Sequence, residues 1–203
     1  VGSAGDDSFT ASISAASNTL NAADSIVDSF SNDNDTLVVT STLANLATGS
    51  GTPLISNIEN ITFDFSTVAE PTIDAQDITG GTVTVNQTLT GGAAGITVNN
   101  ASGITLNAGT GVTGTVTATQ GAGDLTINSG DTATQVTVTT GTTGALTINA
   151  GAVATNASGV ATTGSVTISG DALTNTSATG ATTSVTTGTA GAVTVEGTTA
   201  TTD

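Results

Sequence analysis

The sequence predicts an all-β protein in which an acidic, β-rich segment over residues 1–78 precedes a solenoid-like array of strand repeats over residues 79–203. Three observations support this prediction. Short runs alternate apolar residues with Thr and are bounded by Gly and Asn, a pattern typical of strands and tight turns. Related runs recur at a nearly constant spacing in the second segment. Helix formers with a 3.6-residue period are missing from that segment.

The strand repeats have a period of about 21 residues. Four related runs begin 21, 21 and 20 residues apart, at Ile104, Leu125, Leu146 and Val166, and read Ile/Leu/Val-Thr-Leu/Ile-Asn/Ser. A second run of alternating residues lies within each period, as at residues 115–119. Each period therefore contains two short strands.

A single repeat of this kind cannot bury its apolar face until neighbouring repeats stack on it. Stacking would place Leu125 over Leu146 and would align Asn107, Asn128 and Asn149 as a polar ladder. Parallel solenoid coils are the favoured arrangement. An antiparallel meander of hairpins gives nearly the same pattern and stays open at this point.

The boundary near residue 78 is a change of composition. Eleven of the sixteen acidic residues, all four Phe and both Pro precede it, and the remainder is mainly Gly, Thr, Ala, Asn and aliphatic residues. Strands are predicted in the acidic segment at residues 36–40 and 60–65, where β-branched and aromatic residues concentrate.

The chain has no Lys, Arg or His, and its 16 acidic residues give a formal charge of -16. The countercharge must therefore come from solvent cations, and clustered oxygen ligands suit Ca²⁺. Acid pairs lie in Gly-, Ser- and Asn-rich stretches beside the predicted strands. The candidate calcium ligands are Asp6, Asp7, Asp24, Asp28, Asp33, Asp35, Glu59, Asp64 and Asp77. The alternative for any one of these Asp residues is that it only caps a turn.

Several function classes are excluded by composition. Acid–base and nucleophilic catalysis draw on His, Cys, Lys, Arg or Tyr, none of which occurs, and a glycosidase site would lack Trp and Tyr platforms. We therefore expect no enzyme. Nucleic-acid binding is also excluded, because contacts to phosphates need cationic side chains and the chain has none. The chain contains no run of 18 apolar residues, so no membrane span is predicted. The lack of Cys fits an extracellular location. Without an initiator Met or a signal peptide, the chain is expected to be a mature piece or an internal fragment.

Four stretches of the acidic segment resemble the calcium-binding surface-layer proteins of Gram-negative bacteria, which are related to repeat-in-toxin proteins and leave the cell by type I secretion. These stretches are residues 1–10, 19–26, 33–37 and 55–61. The resemblance implies that Asp6, Asp7, Asp24, Asp28, Asp33 and Asp35 are calcium ligands. The chain has no tandem run of the nonapeptide Gly-Gly-x-Gly-x-Asp, so isolated loop sites are expected.

These observations lead to a structural hypothesis. The chain is expected to form part of a calcium-dependent surface-layer lattice at the bacterial cell surface, with lateral β contacts between copies and with lipopolysaccharide bound through a region outside this segment. The alternative from another class is a stalk segment of a large repeat-in-toxin-type adhesin. A third alternative is the non-catalytic export module of a secreted hydrolase.

Overall fold

The structure is a computed structural model, and part of the chain is described in it. The described residues are 2–16, 18–21, 23–30, 32–43, 53–66, 70–87, 95–130, 133, 135–139, 144–150, 154, 156–160, 165–170, 175–179, 182–187 and 195–196. They form 19 strands and contain no helix. Consequently, this part of the chain has no helix long and apolar enough to cross a membrane.

The strands, numbered in chain order, form three parallel sheets. The first sheet contains nine strands: β1 (Ser8–Ile13), β3 (Thr36–Ser41), β5 (Asn60–Phe65), β8 (Thr82–Gln87), β10 (Ile104–Ala108), β12 (Leu125–Asn128), β14 (Leu146–Asn149), β16 (Ser165–Gly170) and β18 (Thr182–Thr187). The second contains seven: β6 (Thr72–Asp74), β9 (Ile96–Ala101), β11 (Thr115–Gln120), β13 (Gln135–Thr139), β15 (Asn156–Val160), β17 (Asn175–Thr179) and β19 (Val195–Glu196). The third contains three: β2 (Ser25–Val27), β4 (Leu54–Ser56) and β7 (Ile78–Thr79).

The connectivity is that of a parallel β-solenoid. Successive strands of the nine-stranded sheet are separated in sequence by strands of the other two sheets, and every named strand pair is parallel. The prediction of an all-β solenoid is confirmed, and the antiparallel meander is excluded for this part of the chain. The two strands predicted in the acidic segment are also confirmed, as β3 and β5.

The sequence repeat sets the register of the sheet. Leu125 pairs with both Ile104 and Leu146, and Leu146 pairs with Val166, so the spacings of 21, 21 and 20 residues become stacked positions. The Asn ladder also forms. The side-chain amide of Asn128 donates to Oδ1 of Asn107 at 2.7 Å, and that of Asn149 donates to Oδ1 of Asn128 at 2.7 Å.

Alternation along each strand separates the core from the surface. In β5 the residues Ile61, Phe63 and Phe65 are buried, and in β12 the residues Leu125 and Ile127 are buried, while the intervening residues are partly exposed. The inward side chains of the sheets meet in one continuous apolar cluster. Burial of these side chains is the main favourable term for a fold whose repeats cannot bury a face alone.

The nine-stranded sheet continues through the change of composition near residue 78. Strand β5 pairs with β8, with Asn60 opposite Thr82, and β6 pairs with β9, with Thr72 opposite Thr97. In contrast, the described strands of the third sheet all precede residue 80. The acidic segment therefore differs from the later repeats by this additional face.

Candidate metal centre

Three acidic residues occupy equivalent inward-facing positions in successive coils. Asp7, Asp35 and Glu59 each immediately precede a strand of the nine-stranded sheet, and the first residues of those strands are paired with one another. Inward positions in these strands alternate from the acid onward, as the burial of Leu37 and Val39 after Asp35 shows. The three acids therefore lie at one end of a row of stacked inward positions whose other members belong to the core. We call the part of this row formed by Asp7, Asp35 and Glu59 the acidic lane.

The backbone fixes two of these carboxylates. The N–H of Asp7 donates to Oδ1 of Asp35 at 2.7 Å, and the N–H of Asp35 donates to Oε2 of Glu59 at 2.8 Å. Hydrogen bonds from backbone amides restrain the rotamer of a carboxylate. Each link joins one coil to the next, so the carboxylate positions depend on the stacking of the solenoid.

A longer connection brings two further acids to the lane. Eight residues, 28–35, join β2 to β3, whereas three residues, 57–59, join β4 to β5. Asp28 begins the long connection. Its carboxylate accepts the N–H of Phe30, and its own N–H donates to the Ser56 carbonyl at 3.1 Å. The side-chain amide of Asn57 donates to the Asp28 carbonyl at 3.1 Å, which holds the connection against the next coil.

Five carboxylates converge in this region, and we call them the five-carboxylate cluster: Asp7, Asp28, Asp33, Asp35 and Glu59. They fall into two groups of three. One carboxylate oxygen each from Asp7, Asp28 and Asp35 lie within 4.8 Å of one another, and the same holds for Asp33, Asp35 and Glu59. Asp35 belongs to both groups.

Four oxygens of the cluster are buried without a hydrogen-bond partner. They are Oδ1 of Asp28, Oδ2 of Asp35 and both carboxylate oxygens of Asp33. The Asp28 and Asp35 side chains are only 1% and 0% exposed. A buried anionic oxygen without a donor or a cation is costly, by several kcal/mol for the ion. The chain contains no Lys, Arg or His that could compensate them.

The donor set fits calcium. Ca²⁺ accepts six to eight oxygen ligands in flexible geometry and prefers carboxylates and carbonyls. The charged groups of the cluster are all carboxylates. The unpartnered oxygens of Asp28, Asp33 and Asp35 are the atoms that would bind the ion. The surrounding hydrogen bonds would orient these ligands, as outer-shell partners do at other metal sites.

The electrostatics of the cluster are visible at Asp33. Burial raises the pKa of its carboxyl above the ordinary value of 3.8, and the negative charges of Asp28, Asp35 and Glu59 raise it further, whereas the nearby backbone amide of Asp33 itself lowers it. A proton is thus bound more readily at Asp33 in the folded protein than in an unfolded chain. A cation placed among these carboxylates would reverse this effect.

Two other predicted ligands, Asp24 and Asp6, accept backbone hydrogen bonds outside the two groups. The Asp24 carboxylate accepts the N–H of Asn21 at 2.6 Å, as expected for an acid that caps a turn. Asp6 is exposed beside the cluster, and its Oδ1 accepts the N–H of Asn34 at 2.9 Å. Neither residue belongs to the two groups of three carboxylates found among the described residues.

Asp64 and Asp77 lie away from the two groups as well. Oδ1 of Asp64 accepts the side-chain amide of Asn86 at 2.7 Å across adjacent strands. The backbone carbonyl of Asp77 accepts the N–H of Ile55 at 2.9 Å at the third sheet. The structure thus brings five of the nine candidate ligands together and gives the other four separate surroundings.

Gly2 is a part of this site for which the sequence holds no signal. A Cβ atom at Gly2 would overlap Oδ1 of Asp28 and would lie 2.9 Å from Oδ2 of Asp7. The N–H of Gly2 donates to the Val27 carbonyl at 3.0 Å, which holds the N-terminal segment against β2. The closeness of the backbone at Gly2 follows from tertiary packing, which no local motif encodes.

Comparison of the chain with protein-family models, with curated proteins and with solved structures finds no match.

Proposed function

We propose that this chain is a calcium-dependent structural segment of the bacterial cell surface that assembles with copies of itself into a surface-layer lattice. The observation that carries the proposal is the five-carboxylate cluster, in which four buried oxygens lack hydrogen-bond partners in a chain without cationic side chains. It lies at one end of a repetitive parallel solenoid, an architecture suited to a mechanical role.

Calcium acts in this proposal as the element that holds the acidic coils together. Asp7, Asp35 and Glu59 come from three successive coils, and calcium bound within the two groups that contain them would link each coil to the next. Extracellular calcium modules have dissociation constants of about 10⁻⁴ to 10⁻³ M. One such site at a tenfold excess of calcium contributes about 1.4 kcal/mol to the free energy of unfolding. The acidic coils then fold fully only outside the cell, where calcium is abundant.

The outer surface of the nine-stranded sheet supports lateral assembly. Thr82, Thr105, Thr126 and Thr147 are paired in register and partly exposed, so they form a row that repeats once per strand. A flat row of small hydroxyl-bearing side chains offers the same contact to every neighbour. Bound calcium lowers the repulsion between the acidic ends of adjacent copies.

The composition of the chain bears on where the protein is found and on whether it catalyses a reaction. The protein is secreted, lies on the outer surface of the cell and performs no catalysis, which agrees with its lack of Cys, His, Lys, Arg and Tyr. Attachment to lipopolysaccharide uses a region outside this segment. The resemblance of residues 1–10 and 33–37 to surface-layer proteins adds to these arguments.

Electron microscopy of the purified chain in millimolar calcium tests the assembly. The proposal predicts an ordered two-dimensional sheet that disperses when the calcium is chelated. The variant Asp35→Asn should not form the sheet, whereas Glu70→Gln, which removes one charge from an exposed residue, should form it. Isolated rods in calcium would contradict the lattice and favour the adhesin stalk.

A further inference from the structure

We infer that the five-carboxylate cluster binds two calcium ions that share Asp35. This inference rests on the proposed calcium dependence and specifies its site. The two groups of three carboxylates are Asp7, Asp28 and Asp35, and Asp33, Asp35 and Glu59. Each group by itself brings three ligand atoms within 4.8 Å of one another, and Asp35 alone is common to both.

The acidic lane provides two intervals for two ions. Asp7, Asp35 and Glu59 occupy three successive coils, with Asp35 in the middle. Asp28 completes the interval between the first and second coils, and Asp33 completes the interval between the second and third. The long connection over residues 28–35 supplies both of these additional acids, so the same insertion serves both ions.

The unpartnered oxygens are divided between the two groups. Asp28, whose Oδ1 has no partner, belongs to the first group, and Asp33, whose two carboxylate oxygens have none, belongs to the second. Asp35, whose Oδ2 has no partner, belongs to both. A single ion in the first group would leave the Asp33 oxygens buried without a partner. A single ion in the second group would leave the buried Asp28 oxygen in the same condition.

The charge balance also favours two divalent ions over one. Five ionised carboxylates carry five negative charges, and no cationic side chain exists in the chain. One Ca²⁺ leaves three of these charges uncompensated within the cluster, whereas two leave one.

The row that contains the acids changes character immediately after Glu59. The next residue in the row is Gly81, and the residues after it are Ile104, Leu125 and Leu146 in the following coils. A Cβ at Gly81 would overlap the carbonyl oxygen of Ile58, so this position accepts no side chain and no further ligand. The acidic lane therefore consists of three acids, with one interval between the first and second coils and one between the second and third.

Calcium counting by equilibrium dialysis and elemental mass spectrometry tests the inference on the whole chain. Relative to the wild type, Asp7→Asn and Asp33→Asn should each lose one equivalent of calcium, and the double variant should lose two. Asp35→Asn should lose two equivalents, and the exposed control Glu70→Gln should lose none. Circular dichroism in calcium establishes that each variant is folded, and if Asp35→Asn is not, the double variant decides the count.

The outcomes separate this inference from the proposed function. If the double variant loses only one equivalent, the cluster binds one ion; the two-ion site is then overturned and the calcium-dependent function stands. If no variant binds less calcium than Glu70→Gln, both the two-ion site and the calcium-dependent function fail.

Discussion

The backbone N–H of Asp7 donates to Oδ1 of Asp35, 2.7 Å away, across two coils whose strands begin 28 residues apart. The bond fixes one oxygen of Asp35 and leaves Oδ2 buried and without a donor. The same coil-to-coil contact therefore both stacks the solenoid and positions a candidate ligand. Changes that alter this arrangement should change calcium affinity and stability together.

Substitution of Gly2 by Ala should weaken calcium binding. The added Cβ would overlap Oδ1 of Asp28, so this carboxylate must move away from the position it shares with Asp7 and Asp35. A displaced ligand should lower the affinity about tenfold, which corresponds to about 1.4 kcal/mol. Titration calorimetry with calcium measures the change.

Gly5→Ala is the matched control for this substitution, because a Cβ at Gly5 meets nothing within 4 Å. Its calcium affinity should equal that of the wild type. Equal affinities for Gly2→Ala and Gly5→Ala would show that the carboxylates near Gly2 do not bind the ion.

In the part that depends on Asp33, the stability of the calcium-free protein should fall as the pH rises from the ordinary pKa of 3.8 toward neutrality. Burial, together with the charges of Asp28, Asp35 and Glu59, raises the pKa of Asp33 above 3.8. The folded state therefore binds the proton more tightly than the unfolded chain, and its advantage is lost as the pH passes through the raised pKa. Calcium requires ionised ligands, so calcium should stabilise the protein more at the higher pH.

Chemical denaturation of the wild type and of Asp33→Asn over this pH range isolates the contribution of Asp33. Without calcium, the free energy of unfolding of the wild type should decrease more steeply with pH than that of the variant. Parallel pH profiles for the two proteins would contradict the assignment of a raised pKa to this carboxyl.

Substitution of Asn128 by Ala should destabilise the repeat array by about 1–2 kcal/mol. Asn128 both donates to Asn107 and accepts from Asn149, so two ladder hydrogen bonds are lost. Asn107→Ala removes one ladder bond and should cost about half as much. Urea denaturation in calcium measures both variants, and an equal loss from the two substitutions would argue against the ladder as a stabilising feature.

Two glycines in the repeat array should respond differently to Ala. Gly103 and Gly111 both have positive φ angles, +67° and +83°, so a Cβ costs about 1 kcal/mol at either position. At Gly111 the Cβ would also overlap the carbonyl oxygen of Gln87, whereas at Gly103 it meets nothing within 4 Å. Thermal unfolding should therefore show a much larger loss for Gly111→Ala, and similar losses would contradict the close approach of these two coils.

The solenoid could be predicted because the same pattern of apolar residues recurs along the sequence. The spacing of Ile104, Leu125, Leu146 and Val166 specifies a period, and a period with inward apolar residues specifies stacking. The choice between parallel coils and hairpins depends on chain direction, which alternation does not encode. The third sheet was not predicted, because its strands are three residues long or shorter.

The composition predicts an acidic site, but it does not predict which of the acidic residues come together. Composition indicated calcium, yet acid-rich stretches could not distinguish Asp24, which caps a turn, from Asp28, which is buried in the cluster. That difference depends on distances between coils. The position of Asp35 and Glu59 immediately before two strands was a usable signal, because paired strands align the residues that precede them.

Diffraction from crystals grown in calcium, with an anomalous-difference map, tests directly whether the five-carboxylate cluster binds calcium. We expect calcium peaks among Asp7, Asp28, Asp33, Asp35 and Glu59, about 2.3–2.6 Å from their carboxylate oxygens. A map in which these oxygens contact only ordered water would contradict it.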